Sequence, residues 1–162
     1  MEIKTLKNKK EFFISPSWPF HFDGTFHKPS HFPGKLDDWE RGKYWQAIRI
    51  NKKLFGLKIE NKSETQKPKI KVSVFYDKNI SEGELEKIQQ EIVWRFDLNV
   101  DLKEFNKLAK NDKRFYPIFK KWLGMRNSSS EDLYGLLIVG IVLQNATVRR
   151  TVQMMNALLD NY

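Results

Sequence analysis

One apolar segment near the end of the chain constrains the fold more than any other feature. It runs from Leu133 to Leu143, and besides aliphatic side chains it holds only Tyr134 and two glycines. A helix that is apolar on every side must be buried on every side, so the segment predicts the central helix of a helical core. The preceding run Ser128–Asp132 is a typical helix start signal. The segment is too short to cross a bilayer.

A polar break and a second helix follow this segment. The break is Gln144–Thr147, with two amides and a hydroxyl. Apolar residues then recur at helical spacing and predict an amphipathic helix: Val148, Val152, Met155 and Leu159. Polar groups at the end of a buried helix must be satisfied internally or face a ligand. The alternative for Asn145 is a C-terminal helix cap, since Asn is common where helices end.

The junction between the two helices carries a family resemblance. The run Ile141–Arg150 resembles the corresponding junction of helix-hairpin-helix DNA glycosylases, in the branch that removes 3-methyladenine and 8-oxoguanine. In that family a Gln/Asn/Ser cluster here borders the pocket for the flipped base and the gap that the base leaves. The resemblance implies base-pocket or DNA-gap contacts for Gln144, Asn145 and Thr147. Carboxamides suit this task because each offers a donor and an acceptor to a base edge.

Two arginines at the start of the second helix are candidate phosphate contacts. Arg149 and Arg150 lie where a cation is unfavourable with the helix dipole, which favours an anionic partner. The alternative is a solvated surface for at least one of them.

The resemblance covers the first half of such an enzyme only. The family's Leu-Pro-Gly-x-Gly hairpin is absent, and no two of the eight glycines stand as Gly-x-Gly. The family's catalytic Asp lies downstream of that hairpin, so we assign no catalytic residue. Asp160, at the end of a predicted helix, is a poor substitute. We therefore expect that this chain is not catalytic by itself.

The first half of the sequence predicts an antiparallel sheet. Alternating residues in Tyr44–Ile50 and Leu54–Ile59 flank a turn at Asn51–Lys53 and predict a hairpin. Ile70–Tyr76 predicts a third strand, and alternation from Phe20 to Gly24 predicts a short edge strand.

Helices follow the sheet. Ser81 and Glu84 form a capping-box pattern ahead of a helix whose apolar face predicts contact with the sheet. Asp101 with Glu104 predicts the start of a second helix, and Phe115–Leu123 predicts a third that ends at Gly124. Strands first and helices later predict an α+β fold. The resemblance implies a small antiparallel domain similar to half a TATA-binding protein over residues 1–97. It implies the first helices of an all-α glycosylase domain over residues 98–162.

The chain is basic, with 29 Lys and Arg against 20 Asp and Glu and a formal net charge of +9. Nearly all of this excess lies before Ile80, which favours a polyanion partner such as nucleic acid. A Lys-rich solvated surface is the alternative. In this part of the chain six lysines are candidate phosphate contacts: Lys28, Lys35, Lys43, Lys52, Lys53 and Lys58.

Cysteine and histidine usage limits the chemistry. There is no cysteine, which excludes disulfides and thiolate metal sites within the chain. No two of His21, His27 and His31 stand at i, i+4 with an Asp or Glu placed as a third ligand, so we expect no metal and no cofactor. The start of the sequence lacks a signal-peptide pattern, and we expect an intracellular, cytoplasmic, nucleoid-associated protein with no membrane partner.

Three classes of function remain open. The first is the N-terminal part of a DNA glycosylase of base excision repair, with double-stranded DNA carrying a damaged base as its partner. The second is a non-catalytic DNA-binding module, or a partner subunit of a split glycosylase. The third is a helical docking domain. In the first two, the missing C-terminal half or an oligomer contact would cover an apolar patch on the last helix: Met154, Met155, Leu158 and Leu159.

Overall fold

A computed structural model describes residues 6–27, 37–63, 67–127 and 133–161. A five-stranded antiparallel sheet comes first, in the spatial order β1-β5-β4-β3-β2. Its strands are β1 (Asn8–Ile14), β2 (Asp37–Glu40), β3 (Lys43–Ile50), β4 (Lys53–Asn61) and β5 (Ile70–Tyr76). The described helices are α1 (Phe22–Phe26), α2 (Glu82–Arg95), α3 (Lys103–Asn111), α4 (Tyr116–Lys121), α5 (Leu133–Leu143) and α6 (Val148–Asn161). The predicted α+β fold is confirmed.

The β3–β4 hairpin forms where the alternation predicts it. Ile50 pairs with Lys53, so the connection is the two-residue turn Asn51–Lys52. Both turn residues have positive φ, 48° and 66°, as turns that match the twist of an antiparallel pair require. The predicted strand at Ile70–Tyr76 is β5.

Helix α2 covers one face of the sheet. Its capping box forms as predicted, because the Ser81 hydroxyl accepts the Glu84 amide and the Glu84 carboxylate accepts the Ser81 amide. Ile88 and Ile92 of α2 are buried in the same core as Phe26 of α1. Most of the rest of that core comes from alternate residues of the strands, including Tyr44, Ile48, Phe55, Leu57, Ile59, Ile70, Val72 and Val74.

The strand predicted from Phe20 to Gly24 is wrong. The segment forms the short helix α1, whose start is capped by the His21 side chain: Nδ1 accepts the Gly24 amide at 2.9 Å. Phe22 and Phe26, spaced i and i+4, are both buried in the core. The helical spacing of these two rings therefore outweighs the local alternation. The edge strands β1 and β2 have no counterpart among the predicted strands.

Arg126 joins the helical part of the chain to the segment before α1. Its side chain is 2% exposed and donates to the carbonyl oxygens of Ser17, Pro19 and Val100. Gly124, with φ +87°, lies against the same segment, since a Cβ there would come within 2.6 Å of Pro19. The predicted helix end at Gly124 thus coincides with a close packing point.

Helix α5 forms, but it is not buried on every side as predicted. It packs against α6, while Leu133, Leu137 and Ile141 are 68%, 58% and 67% exposed. These three residues recur every four positions and form one stripe, which we call the α5 stripe. On α6, Met154, Met155 and Leu158 are half-buried. The most exposed apolar residues therefore lie on α5 rather than on the predicted α6 patch. The start signal at Ser128–Asp132 and the Leu159 side chain lie outside the described residues.

Candidate nucleic-acid interface

The turn between α5 and α6 holds the residues that the resemblance implies as DNA contacts. Helix α5 ends at Leu143, and the amides of Gln144 and Ala146 donate to the carbonyl oxygens of Ile141 and Leu143 at 3.2 and 3.3 Å. Asn145 has φ +53°, the left-handed conformation that Asn adopts at helix ends. The backbone of Asn145 therefore acts as the helix end, and this role leaves its carboxamide free.

Thr147 begins α6. Its hydroxyl accepts the Arg150 amide at 3.3 Å, as an N-cap side chain does. The buried Thr151 hydroxyl lies 3.2 Å from the Thr147 carbonyl oxygen and 3.3 Å from that of Val142 on α5. Thr151 thus fixes α6 against the end of α5. Sequence reasoning missed this role, although a hydroxyl on the apolar side of the helix was a signal for it.

Four polar side chains of this turn are exposed and available to a ligand. Gln144, Asn145, Arg149 and Arg150 are exposed, and none has a side-chain partner within the part of the chain that the structure describes. Two amides and two guanidinium groups thus lie within seven successive residues around one turn. We call this set the α5–α6 polar turn.

Three of the candidate lysines on the sheet are paired with glutamates, unlike the side chains of the α5–α6 polar turn. Lys43 is paired with Glu40, which raises the pKa of Lys43 above its usual value. Lys53 lies 2.8 Å from a Glu84 oxygen, and Lys58 lies 3.5 Å from a Glu60 oxygen.

The structure does not bring these lysines into one patch. Lys43 and Lys52 lie at opposite ends of the β3–β4 hairpin. Lys52, at its tip, has no side-chain partner among the described residues. Lys28 and Lys35 lie outside those residues.

On strand β1, one glutamate is shared by two lysines. Glu11 on β1 is 2.8 Å from Lys9 and 2.9 Å from Lys71, and it accepts the Ser73 hydroxyl at 3.0 Å. These contacts lower the pKa of Glu11 to about 2. One carboxylate shared by two lysines leaves a net positive charge, and exposed ion pairs of this kind are weak.

The described histidines have structural roles. His21 caps α1, and the His27 ring stacks on Trp39 with ring centres 4.4 Å apart. Within residues 6–27, 37–63, 67–127 and 133–161, no group of three His, Asp or Glu side chains is placed to hold a metal ion. His31 lies outside these ranges. None of the described helices combines the length and apolar character that a bilayer crossing needs.

The fold is a twisted antiparallel sheet with one face covered by a helix, followed by short helices that end in the α5–α6 pair. No protein-family model matches the sequence, and no curated protein matches it. The fold is similar to the solved structure of a 3-methyladenine DNA-glycosylase from Archaeoglobus fulgidus, with a TM-score of 0.68 and 15% sequence identity. The match covers 89% of this chain and 48% of that chain, so this chain spans about half the length of the known structure. The similarity establishes a DNA-glycosylase-like fold.

Proposed function

We propose that this chain is the N-terminal part of a DNA glycosylase of base excision repair, acting inside the cell. It contacts damaged duplex DNA through the α5–α6 polar turn. The observation that carries the proposal is the match of 89% of the chain to a solved 3-methyladenine DNA-glycosylase, together with the free polar side chains of that turn.

The two amides suit a base or the gap left by a base. Gln144 and Asn145 each present a donor and an acceptor, and neither group is used within the described structure. The hydroxyl of Thr147 is the N-cap acceptor, so its role in this proposal is to hold the turn beside the DNA gap. In this proposal the two amides contact the duplex where a base has left the stack.

The cations suit the flanking phosphates. Arg149 and Arg150 open α6, where the dipole disfavours a cation unless an anion lies nearby. A phosphate beside the gap provides that anion. Among the described sheet lysines, Lys52 can contact a phosphate without losing a partner. Lys43, Lys53 and Lys58 would first have to leave their carboxylates.

Base removal itself requires a carboxylate near the sugar, because positive charge develops there as the glycosidic bond breaks. Asp160 is the only acidic residue after Leu133, and it lies at the exposed end of α6 rather than at the polar turn. We therefore assign the chemistry to further polypeptide that packs on the α5 stripe and completes the fold. The same lack of a carboxylate favours a second candidate, a non-catalytic DNA-binding module or the partner subunit of a split glycosylase.

The test compares duplexes with and without an abasic-site analogue. Gln144→Ala and Asn145→Gly remove the amides, and glycine at position 145 keeps the positive φ that alanine would strain. Gln153→Ala is the matched control, since Gln153 is an exposed amide on α6 outside the turn. Affinity is measured by fluorescence anisotropy at low salt.

We expect the wild-type chain and the Gln153 variant to prefer the abasic duplex. The two turn variants should lose that preference and keep their affinity for undamaged duplex. Equal weakening on both duplexes would contradict base-gap contact and favour the plain binding module. Absence of any binding at low salt would reject both DNA proposals.

A further inference from the structure

Among the described residues, a concentration of unpaired positive charge lies on α3 and α4. Residues 103–121 hold seven cationic side chains and two acidic ones. The cations are Lys103, Lys107, Lys110, Lys113, Arg114, Lys120 and Lys121. We call these seven side chains the α3–α4 basic surface. All seven residues are exposed.

Most of these cations lack a carboxylate partner. Lys103 lies 3.3 Å from Asp101, and Lys121 lies 5.6 Å from the centre of the Trp122 ring. The other five have no side-chain partner in the described part of the chain. The sheet lysines differ, since Lys9, Lys43, Lys53, Lys58 and Lys71 are each paired with a glutamate.

Three of the lysines form a stripe that points away from the protein. Lys103, Lys107 and Lys110 are spaced i, i+4 and i+7, so they share one face of α3. On the other side of α3, Ala109 is 3% exposed and the Phe105 ring lies 6.1 Å from Phe119 of α4, while Phe105 and Leu108 remain 50% and 70% exposed.

The helix dipole does not account for this arrangement. Cations in a last helical turn are stabilised by the dipole, which explains Lys110, Lys120 and Lys121. Lys107 lies mid-helix, and Lys113 and Arg114 lie in the loop between the helices. These three lie outside a last helical turn, and none pairs with a carboxylate among the described residues. A bound polyanion would neutralise these exposed charges.

A membrane surface is the main competing polyanion. A helix that lies on a bilayer buries its apolar face in the lipid and keeps its cations at the headgroups. The apolar face of α3 is partly covered by α4, with Phe105 6.2 Å from Phe115, but Leu108 on the same face is 70% exposed. The surface thus combines cations with exposed apolar side chains, and the choice of nucleic acid over a membrane rests on the similarity to a solved DNA-glycosylase.

We propose that the α3–α4 basic surface is a second contact of this protein with double-stranded DNA, made to the phosphate backbone without sequence readout. The proposal rests on the proposed function for the identity of the polymer. In this arrangement the α5–α6 polar turn recognises the damaged position, while α3 and α4 supply most of the electrostatic affinity.

The experiment compares two triple variants of the 162-residue chain with the same change in charge. One carries Lys107→Gln, Lys110→Gln and Lys113→Gln. The control carries Lys62→Gln, Lys78→Gln and Lys87→Gln, three exposed lysines of the sheet domain. Affinity for an undamaged duplex is measured over a series of salt concentrations. Binding to phosphatidylcholine/phosphatidylserine vesicles is measured in parallel.

Each lost phosphate contact lowers the slope of log K against log salt by about 0.9. We expect the α3–α4 variant to lose about 2 to 3 from that slope and the control to keep the wild-type value. Equal slopes for the two variants would overturn the α3–α4 surface while leaving DNA binding intact. If the wild-type chain binds no duplex at low salt, the proposed function fails as well. Charge-dependent binding to vesicles without binding to DNA would overturn the proposed function and the α3–α4 DNA contact, and would indicate a membrane partner.

Discussion

The Arg126 guanidinium donates a hydrogen bond of 2.9 Å to the carbonyl oxygen of Pro19, a residue 107 positions earlier in the chain. The same side chain also donates to Val100 at 2.7 Å. Burial lowers the pKa of Arg126, and the negative charges of Asp97 and Asp101 oppose this change. One buried cation thus fixes the segment before α1 to the loop that follows α4, close to the start of α5.

Arg126→Met should lower the free energy of unfolding by about 3 kcal/mol or more, because three carbonyl oxygens lose a charged donor in a buried place. Urea unfolding at neutral pH measures the change. Arg41→Met is the control, since Arg41 is exposed and has no side-chain partner among the described residues. It should change stability by no more than about 0.5 kcal/mol. If Arg126→Met lowers the free energy of unfolding no more than the control does, the hydrogen bonds of Arg126 make no net contribution to stability.

Glu84 makes the stability of the fold depend on pH. The ammonium of Lys53 and the Ser81 amide and hydroxyl lower the pKa of Glu84 from 4.5 to about 2. A carboxyl whose pKa is lowered by folding stabilises the protein above its unfolded pKa, and this contribution is lost as pH falls toward the folded pKa.

In Glu84→Gln we expect a destabilisation that is full above pH 4.5 and shrinks to nothing near pH 2. Urea unfolding over this pH range measures it. Glu86→Gln is the control, because Glu86 is exposed on the same helix and has no partner in the described structure. A difference between wild type and Glu84→Gln that stays constant across the range would contradict the assignment.

The α5 stripe should make the isolated chain associate with itself. Exposed Leu133, Leu137 and Ile141 form a continuous apolar surface that water disfavours. We expect concentration-dependent association in sedimentation experiments, and the double variant Leu137→Lys, Ile141→Lys should abolish it without loss of stability. Leu54→Lys, at a 54% exposed position on β4, is the control that should leave association unchanged. A wild-type chain that is monomeric at all concentrations would contradict the prediction that the α5 stripe is a contact surface.

Local patterns predicted the elements that are built from neighbouring residues. The β3–β4 hairpin, the Ser81–Glu84 capping box and the helix before Gln144 all follow from contacts within a few positions. Strand β1 does not, because it is defined by pairing Phe12 with Val72, 60 positions later. Adjacent Phe12 and Phe13 also break the alternation that would have marked it.

In the candidate site, too, local features could be predicted from the sequence and long-range contacts could not. The sequence indicated two roles for Asn145, a contact with the DNA gap and a helix cap. The positive φ of Asn145 agrees with the helix-cap role of its backbone. The pairing of Lys53 with Glu84 and the role of Arg126 depend on long-range contacts that no spacing in the sequence encodes. The charge excess before Ile80 indicated the sheet as the basic surface, whereas several sheet lysines are paired with glutamates and five cations of α3 and α4 have no partner among the described residues. Net charge by segment could not show this, because it does not record which charges are paired.

The isolated chain should release no base from alkylated or oxidised duplex DNA. The reaction needs a carboxylate beside the sugar carbon and a group that grips the neighbouring phosphate. In the glycosylases that the polar turn resembles, the catalytic Asp lies downstream of a glycine-rich hairpin that the sequence lacks. Single-turnover assays with enzyme in excess over a labelled duplex test this directly, with Asp160→Asn as the matched variant. Base release by the wild-type chain that disappears in Asp160→Asn would place the catalytic carboxylate at the end of α6. It would also overturn our assignment of the chemistry to further polypeptide.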